Sequence, residues 1–256
     1  MYDLAALGAE LRGTVFASQV AYFPTIDSTN TYALAQAQRG APHGSVYLAG
    51  EQTAGRGRGG HQWHSRPQDG IYVSVLVRPS LSTDRALWLS LIAGMAVKSA
   101  IEQATALAAD IRWPNDVLLH GKKCAGILVE SVFAGDAMRY AVIGIGLNVN
   151  HDGFPEPLSQ TATSLRIETG HPQSREVLLS TLLRALEAEL AALEAGEDVL
   201  ERFTAASSWV RNKQVSVAED EGYTGLTCGL NPQGFLLVNT RDGIRTVRSG
   251  GVRPCE

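Results

Sequence analysis

Between Ile111 and Asn150 four extended segments follow one another with very little connecting chain: IRW, DVLLH, KKCAGILVE and YAVIGIGLNVN. The second and third are separated by His120 and Gly121 alone, a two-residue connection that makes a hairpin. Such a block commits the middle of the chain to a sheet, and the flanking helices must then cover it. Leu87, Trp88, Leu91, Ile92, Met95 and Ile101 recur at helical spacing between Asp84 and about Ala108, giving one broad apolar face. A second amphipathic helix is read in SREVLLSTLLRALEAELAALEAG (174–196), with a third in EDVLERFTAASSW (197–209).

Upstream, VAYFPTI (20–26) is read as extended, and Asp27, Ser28, Thr29 and Asn30 offer N-cap oxygens to a helix TYALAQAQR closed by Gly40. SVYLAG (45–50) and IYVSVLVR (71–78) are further strands, and 151–165 breaks into Pro, Gly and polar positions. After Trp209 the pattern changes. VSVAED, TGLTCGL, GFLLVNT and IRTVRS are short strands separated by the turns DEGY, NPQG and RDG, the pattern of a small antiparallel barrel. The chain therefore divides into 1–209 and 210–256, with 45% hydrophobic residues over 256 positions, enough for a full core.

Two arginines sit in EQTAGRGRGGHQW (51–63) among four glycines, although the chain carries a formal charge of -4. An acidic protein is not built for phosphate backbones, so any anion site must be local. Gly55, Gly57 and Gly60 satisfy GxGxxG, but HQWHSRPQDG after them has no helical period, and a dinucleotide fingerprint needs a helix there. No Lys-Ser or Lys-Thr follows Gly60 to make a P-loop, and one isolated RGG copy is weak as an RNA-binding segment. A loop able to bring Arg56 and Arg58 to a carboxylate or phosphate remains, beside a plain solvated turn.

A second constellation lies in the hairpin. With a two-residue turn Leu119 pairs with Lys122, Leu118 with Lys123, and Asp116 with Ala125, so Asp116 and Lys123 share a face as diagonal neighbours. An edge salt bridge is the alternative reading. Cys124, Cys228 and Cys255 are far apart and no Cys or His pair has zinc spacing, so neither disulfides nor a structural metal are expected. The first residues show no basic leader and the longest apolar run is too short for a bilayer, so a cytoplasmic protein without membrane contact is expected.

DSTN (27–30), EQTAGRGRGGHQW, WPND (113–116), KKCAGILVE and GIGLNVN (144–150) occur in the order and approximate spacing seen in biotin protein ligases, and the chain resembles that family over about residues 20–165. The resemblance implies an α+β fold. A mixed sheet with flanking helices, of the class II synthetase type, would be followed by a C-terminal SH3-like β-barrel. It also implies an ATP- and Mg²⁺-dependent enzyme that converts biotin to biotinyl-5′-AMP and transfers it to a lysine of a biotin carboxyl carrier protein. Position by position, Ser28, Thr29, Asn30 and Gln52 resemble the biotin contacts, with Gly126. Arg56, Gly57 and Arg58 resemble the loop that closes over ligand, and Lys123 the lysine near the biotin carboxylate and α-phosphate.

By the same resemblance Trp63, Asn115 and Asn148 are placed at the nucleotide, and Phe154 and Leu158 over adenine. Asp116 is expected to position Lys123, with proton acceptance from the carrier lysine as a further role. Only about 20 residues precede the ligase-like region, too few for a helix-turn-helix, so no repressor role and no DNA binding are expected. A homodimer through a sheet edge is compatible with the pattern. Three other readings stay open: a lipoate ligase or octanoyl transferase of related fold, for which the RRxSGGG stretch is missing; a non-catalytic small-molecule sensor; and an RNA-binding protein.

Overall fold

A computed structural model describes residues 2–219, 221–248 and 251–255. Seven strands form the larger sheet: β1 (Val20–Phe23), β2 (Val46–Ala49), β3 (Gly70–Val77), β4 (Asp110–Arg112), β5 (Asp116–Leu119), β6 (Lys122–Ala134) and β7 (Ala137–Asn148). Their spatial order is β1-β2-β3-β7-β6-β5-β4. Only β1 and β2 run parallel, and the connection between them is α2 (Thr29–Gln38). The sheet is therefore mixed, as expected.

One face is covered by α3 (Trp88–Thr105) and α5 (Arg175–Glu194), which pack on each other, with α6 (Val199–Ala206) against α3. Leu89, Ile92, Ala93 and Ala96 of α3 and Leu179, Leu182, Leu183 and Leu186 of α5 are inaccessible to solvent, as the leucine spacing requires. Two short helices were not legible in the sequence: α1 (Leu4–Glu10), capped by Asp3, and α4 (Leu165–Thr169), capped by Ser164. Each is two turns or fewer, too short to show a 3.6-residue period.

The second sheet holds β8 (Arg211–Val217), β9 (Tyr223–Leu230), β10 (Leu236–Thr240), β11 (Gly243–Val247) and β12 (Val252–Pro254), in the order β11-β10-β9-β8-β12 and entirely antiparallel. This is the small SH3-like unit. Asp220 of the DEGY turn and Ser249 of the last predicted strand lie outside the described residues. The two sheets share one buried apolar cluster, and the Trp113 indole donates to the carbonyl of Gly234 at 2.9 Å. No helix among the described residues is long and apolar enough to cross a membrane.

Candidate active site

The cleft lies where α2 begins over the middle of β6 and β7. Ser28, rather than the whole DSTN run, caps α2, its hydroxyl accepting from the Thr31 amide. Thr29 and Asn30 are already in the first turn, so the helix begins two residues earlier than the sequence suggested. All three are nearly inaccessible, at 2%, 3% and 4% exposure, so their polar atoms need partners. Gln52 supplies one, its Oε1 accepting from the Thr29 amide at 2.8 Å and the Thr29 hydroxyl at 3.1 Å. Asn30 Nδ2 donates to Glu130 at 3.0 Å and to the Leu128 carbonyl at 3.3 Å, while Ser74 Oγ donates to Asn30 Oδ1 at 2.5 Å. The close approach of Asn30 to β7 requires glycine at 144: a Cβ there would stand 2.0 Å from Asn30 Oδ1.

The glycine-rich loop forms a narrow finger. Arg56 and Gln62 make an antiparallel bridge, the Gly57 amide donates to the His61 carbonyl at 2.7 Å, and the tip turns through Arg58–Gly60. Gly59 and Gly60 have φ of 63° and 80°, the left-handed region in which glycine is unstrained. Arg56 grips Glu130 through both terminal guanidinium nitrogens, Nη2 at 2.9 Å and Nη1 at 3.1 Å. Arg58 donates to Asn115 Oδ1 at 3.0 Å, and burial, opposed by nearby Asp116, pushes its guanidinium below the usual value. The Trp63 ring lies on the two floor glycines, since a Cβ at Gly146 would be 2.3 Å and at Gly126 2.9 Å from it. Lys123 Nζ is 5.5 Å from that ring's centroid.

The register of the hairpin differs from expectation. Leu119 pairs with Lys122 and Leu118 with Lys123, but a bulge follows, so Val117 faces Ala125 and Asp116 faces Gly126 rather than Ala125. Cys124 is the inserted residue, a feature that a two-residue turn alone does not reveal. The shared face survives, because Lys123 lies diagonally from Asp116 across a position without a side chain. Lys123 Nζ reaches Asp116 Oδ1 at 2.5 Å, and Arg112 holds Oδ2 at 2.7 Å. Burial would raise the Asp116 carboxyl, but the two cations outweigh it and hold it below the usual carboxylate range. An ionised carboxylate shared by two cations is a weak base, which fits positioning better than proton acceptance.

Ser28, Thr29, Asn30, Gln52, Arg56, Gly57, Arg58, Trp63, Asn115, Lys123 and Gly126 thus line one cleft. Asp116 stands behind Lys123. Asn148 is not in the lining: it is 4% exposed and donates to the Thr163 carbonyl at 3.0 Å. Phe154 is also elsewhere, stacked on His151 with centroids 5.1 Å apart, and Leu158 is exposed.

Sequence reasoning passed over Glu130, Ser74 and Arg112. The signal for Glu130 was a lone carboxylate in an apolar strand, which is rarely buried unpaired. Among the described residues no group of three or more His, Cys, Asp or Glu could hold a metal ion.

Beside the cleft, burial pushes the fully enclosed His151 down to about 4, with His64 and Arg66 acting in the same direction. The folded state therefore binds this proton less well than the unfolded chain does. The His151 contribution is complete above about pH 6.5 and fades as pH falls to about 4, a loss of about 3 kcal/mol. Denaturant titrations across this window should show that slope, and His151→Gln should flatten it; an unchanged slope would exclude His151 as its source.

Residues 22–148 match the Biotin/lipoate A/B protein ligase family. The chain is 35% identical to the biotin--[acetyl-CoA-carboxylase] ligase of Mycobacterium tuberculosis, over 88% of its own length and 85% of the relative's. It is 32% identical to the bifunctional ligase/repressor BirA of Bacillus spizizenii, over 94% of itself and 76% of that protein. Among solved structures, the biotin protein ligase of Aquifex aeolicus in complex with biotin and ATP superposes with a TM-score of 0.79 at 27% identity, covering 93% of this chain and all of that one. With relatives this similar along most of its length, the chain belongs to the biotin/lipoate A/B protein ligase family.

Proposed function

We infer that the protein is an ATP-dependent biotin ligase, which activates biotin as biotinyl-5′-AMP and delivers the biotinyl group to a lysine of a carboxylase carrier domain. A biotin carboxylate oxygen attacks the α-phosphorus of ATP and the bond to pyrophosphate breaks. The carrier amine then attacks the acyl carbon, losing a proton as AMP leaves. Both reactants of the first step are anions, so their approach must be offset by fixed positive charge.

The observation that carries this reading is the convergence of Arg56, Arg58 and Lys123, from two stretches of chain, on a single cleft in a net acidic protein. Lys123 is assigned to the carboxylate and α-phosphate, held there by Asp116. Arg56 and Arg58 are assigned to the ligand's anionic groups, and the polar ends of Ser28, Thr29, Asn30 and Gln52 to the ureido ring. Trp63 Nε1, buried over the glycine floor without a protein acceptor, suits a ligand oxygen or ring nitrogen. Mg²⁺, when bound, would neutralise the triphosphate, held mainly by phosphate oxygens and water.

Residues 1–209 would carry this chemistry, with 210–256 a separate small barrel. The physiological acceptor is assigned as the biotin carboxyl carrier protein of acetyl-CoA carboxylase or a similar enzyme, in the cytoplasm. The purified protein is expected to exchange labelled pyrophosphate into ATP only when biotin is added. Exchange that depends on lipoate, or no exchange, would overturn the assignment.

A further inference from the structure

Lys123 stands at the beginning of β6, where the sheet is incomplete. β7 pairs with β6 only from Ala125 onward, so it does not reach the Lys123 backbone. Segment 161–163 takes its place. The Lys123 amide donates to the Thr161 carbonyl at 2.8 Å, and the Thr163 amide donates to the Lys123 carbonyl at 2.9 Å, a parallel bridge centred on Ala162. Both backbone polar groups of the lysine thus depend on a piece of chain that has no regular structure of its own.

What fixes that piece is a set of contacts meeting at Thr163, which is 1% exposed. Its carbonyl accepts from Asn148 Nδ2 at 3.0 Å, anchoring it to the end of β7. Its hydroxyl donates to the Glu168 carboxylate in the first turn of α4, and the other Glu168 oxygen lies 2.5 Å from His120 Nδ1 in the β5–β6 turn. The clamp therefore closes a ring: hairpin turn, α4, segment 161–163, Lys123. Segment 161–163 is also the end of the connection that begins at His151, so a displacement of that connection is felt at the lysine.

We propose that Thr163 and Glu168 are positioning residues for Lys123, holding segment 161–163 as a surrogate strand that fixes where the lysine starts its reach toward Asp116. This rests on the role given to Lys123 above. Neither residue touches the cleft, and the ring system of the ligand is assigned to Ser28, Thr29, Asn30 and Gln52, so the effect falls mainly on catalytic rate.

The test compares Thr163→Val, of the same shape but without the hydroxyl, with Thr163→Ser, which keeps it. In biotin-dependent pyrophosphate exchange Thr163→Val is expected to lower kcat by about ten- to a hundred-fold, as small misplacements of a catalytic group do, with KM for biotin almost unchanged. Thr163→Ser should recover most of the rate. In a Lys123→Ala background Thr163→Val should add no further loss, because the group being positioned is gone. Amide hydrogen exchange should show faster exchange at Lys123 in Thr163→Val while Ile127 stays protected. Losses that multiply in the double variant, a change in KM alone, or an equally protected Lys123 amide would each overturn the proposal. The amide measurement needs no substrate, so it judges the clamp even if the ligase reading itself fails.

Discussion

Replacing Lys123 with alanine is expected to reduce biotin-dependent pyrophosphate exchange by about 10²–10³-fold, the usual loss when one fixed donor to developing charge is removed. The fold should persist. Removing one member of a buried ion pair normally leaves an uncompensated charge and costs several kcal/mol. Here Asp116 keeps Arg112 at 2.7 Å, so the carboxylate remains paired without the lysine. Asp116→Ala is the informative contrast, because it frees two cations to repel one another and takes away the group against which Lys123 is aimed. Exchange kinetics together with a thermal unfolding scan separate the two effects. An alanine variant that is folded and within ten-fold of the parent would remove Lys123 from the chemistry.

Gly144→Ala is expected to destabilise the protein by about 2–3 kcal/mol and to raise KM for biotin more than ten-fold. The new methyl would meet Asn30 Oδ1 at 2.0 Å and Cγ at 2.7 Å, distances at which something must move. Asn30 cannot yield cheaply, because Leu128, Glu130 and Ser74 hold both ends of its amide. Its displacement would also loosen Glu130, the partner of Arg56. Gly8→Ala serves as control, since a Cβ there meets nothing within 4 Å and Gly8 lies inside α1, so this change should be stabilising, by up to about 1 kcal/mol. Equal stability of the two variants by urea denaturation, with unchanged KM, would contradict the packing described for Asn30.

The regular elements were legible because their apolar residues repeat with the period of the structure. The leucines of α5 are of this kind, while β6 and β7 were legible as apolar runs joined by very little chain, and the small sheet by the change of pattern after Trp209. The Asp116–Lys123 pairing could be read from the short turn, whereas the bulge at Cys124 could not, since nothing local distinguishes an inserted residue from an ordinary strand position. The cleft's cations and hydroxyls were visible as motifs. Their partners were less so: Glu130 meets Arg56 across 74 positions and Asn30 across 100, and Thr163 reaches Lys123 across 40. Such contacts are set by how the sheet and its connections stack, which no window of sequence contains. Asn148 shows the reverse case, a polar residue in a suggestive motif that the fold uses to anchor a neighbouring segment.

The bond from the Trp113 indole to Gly234 ties the small C-terminal sheet to the WPND turn of the large one. Trp113 opens the WPND turn that carries Asn115 and Asp116, and its N–H finds its acceptor only in the NPQG turn some 121 positions away. The terminal sheet therefore acts as a keystone: cut away, it would leave a buried donor unanswered at the foot of the arch from which the lysine's counter-ion hangs. Any shuffled or transplanted version of the larger sheet must bring a carbonyl to that spot if the turn is to keep its shape.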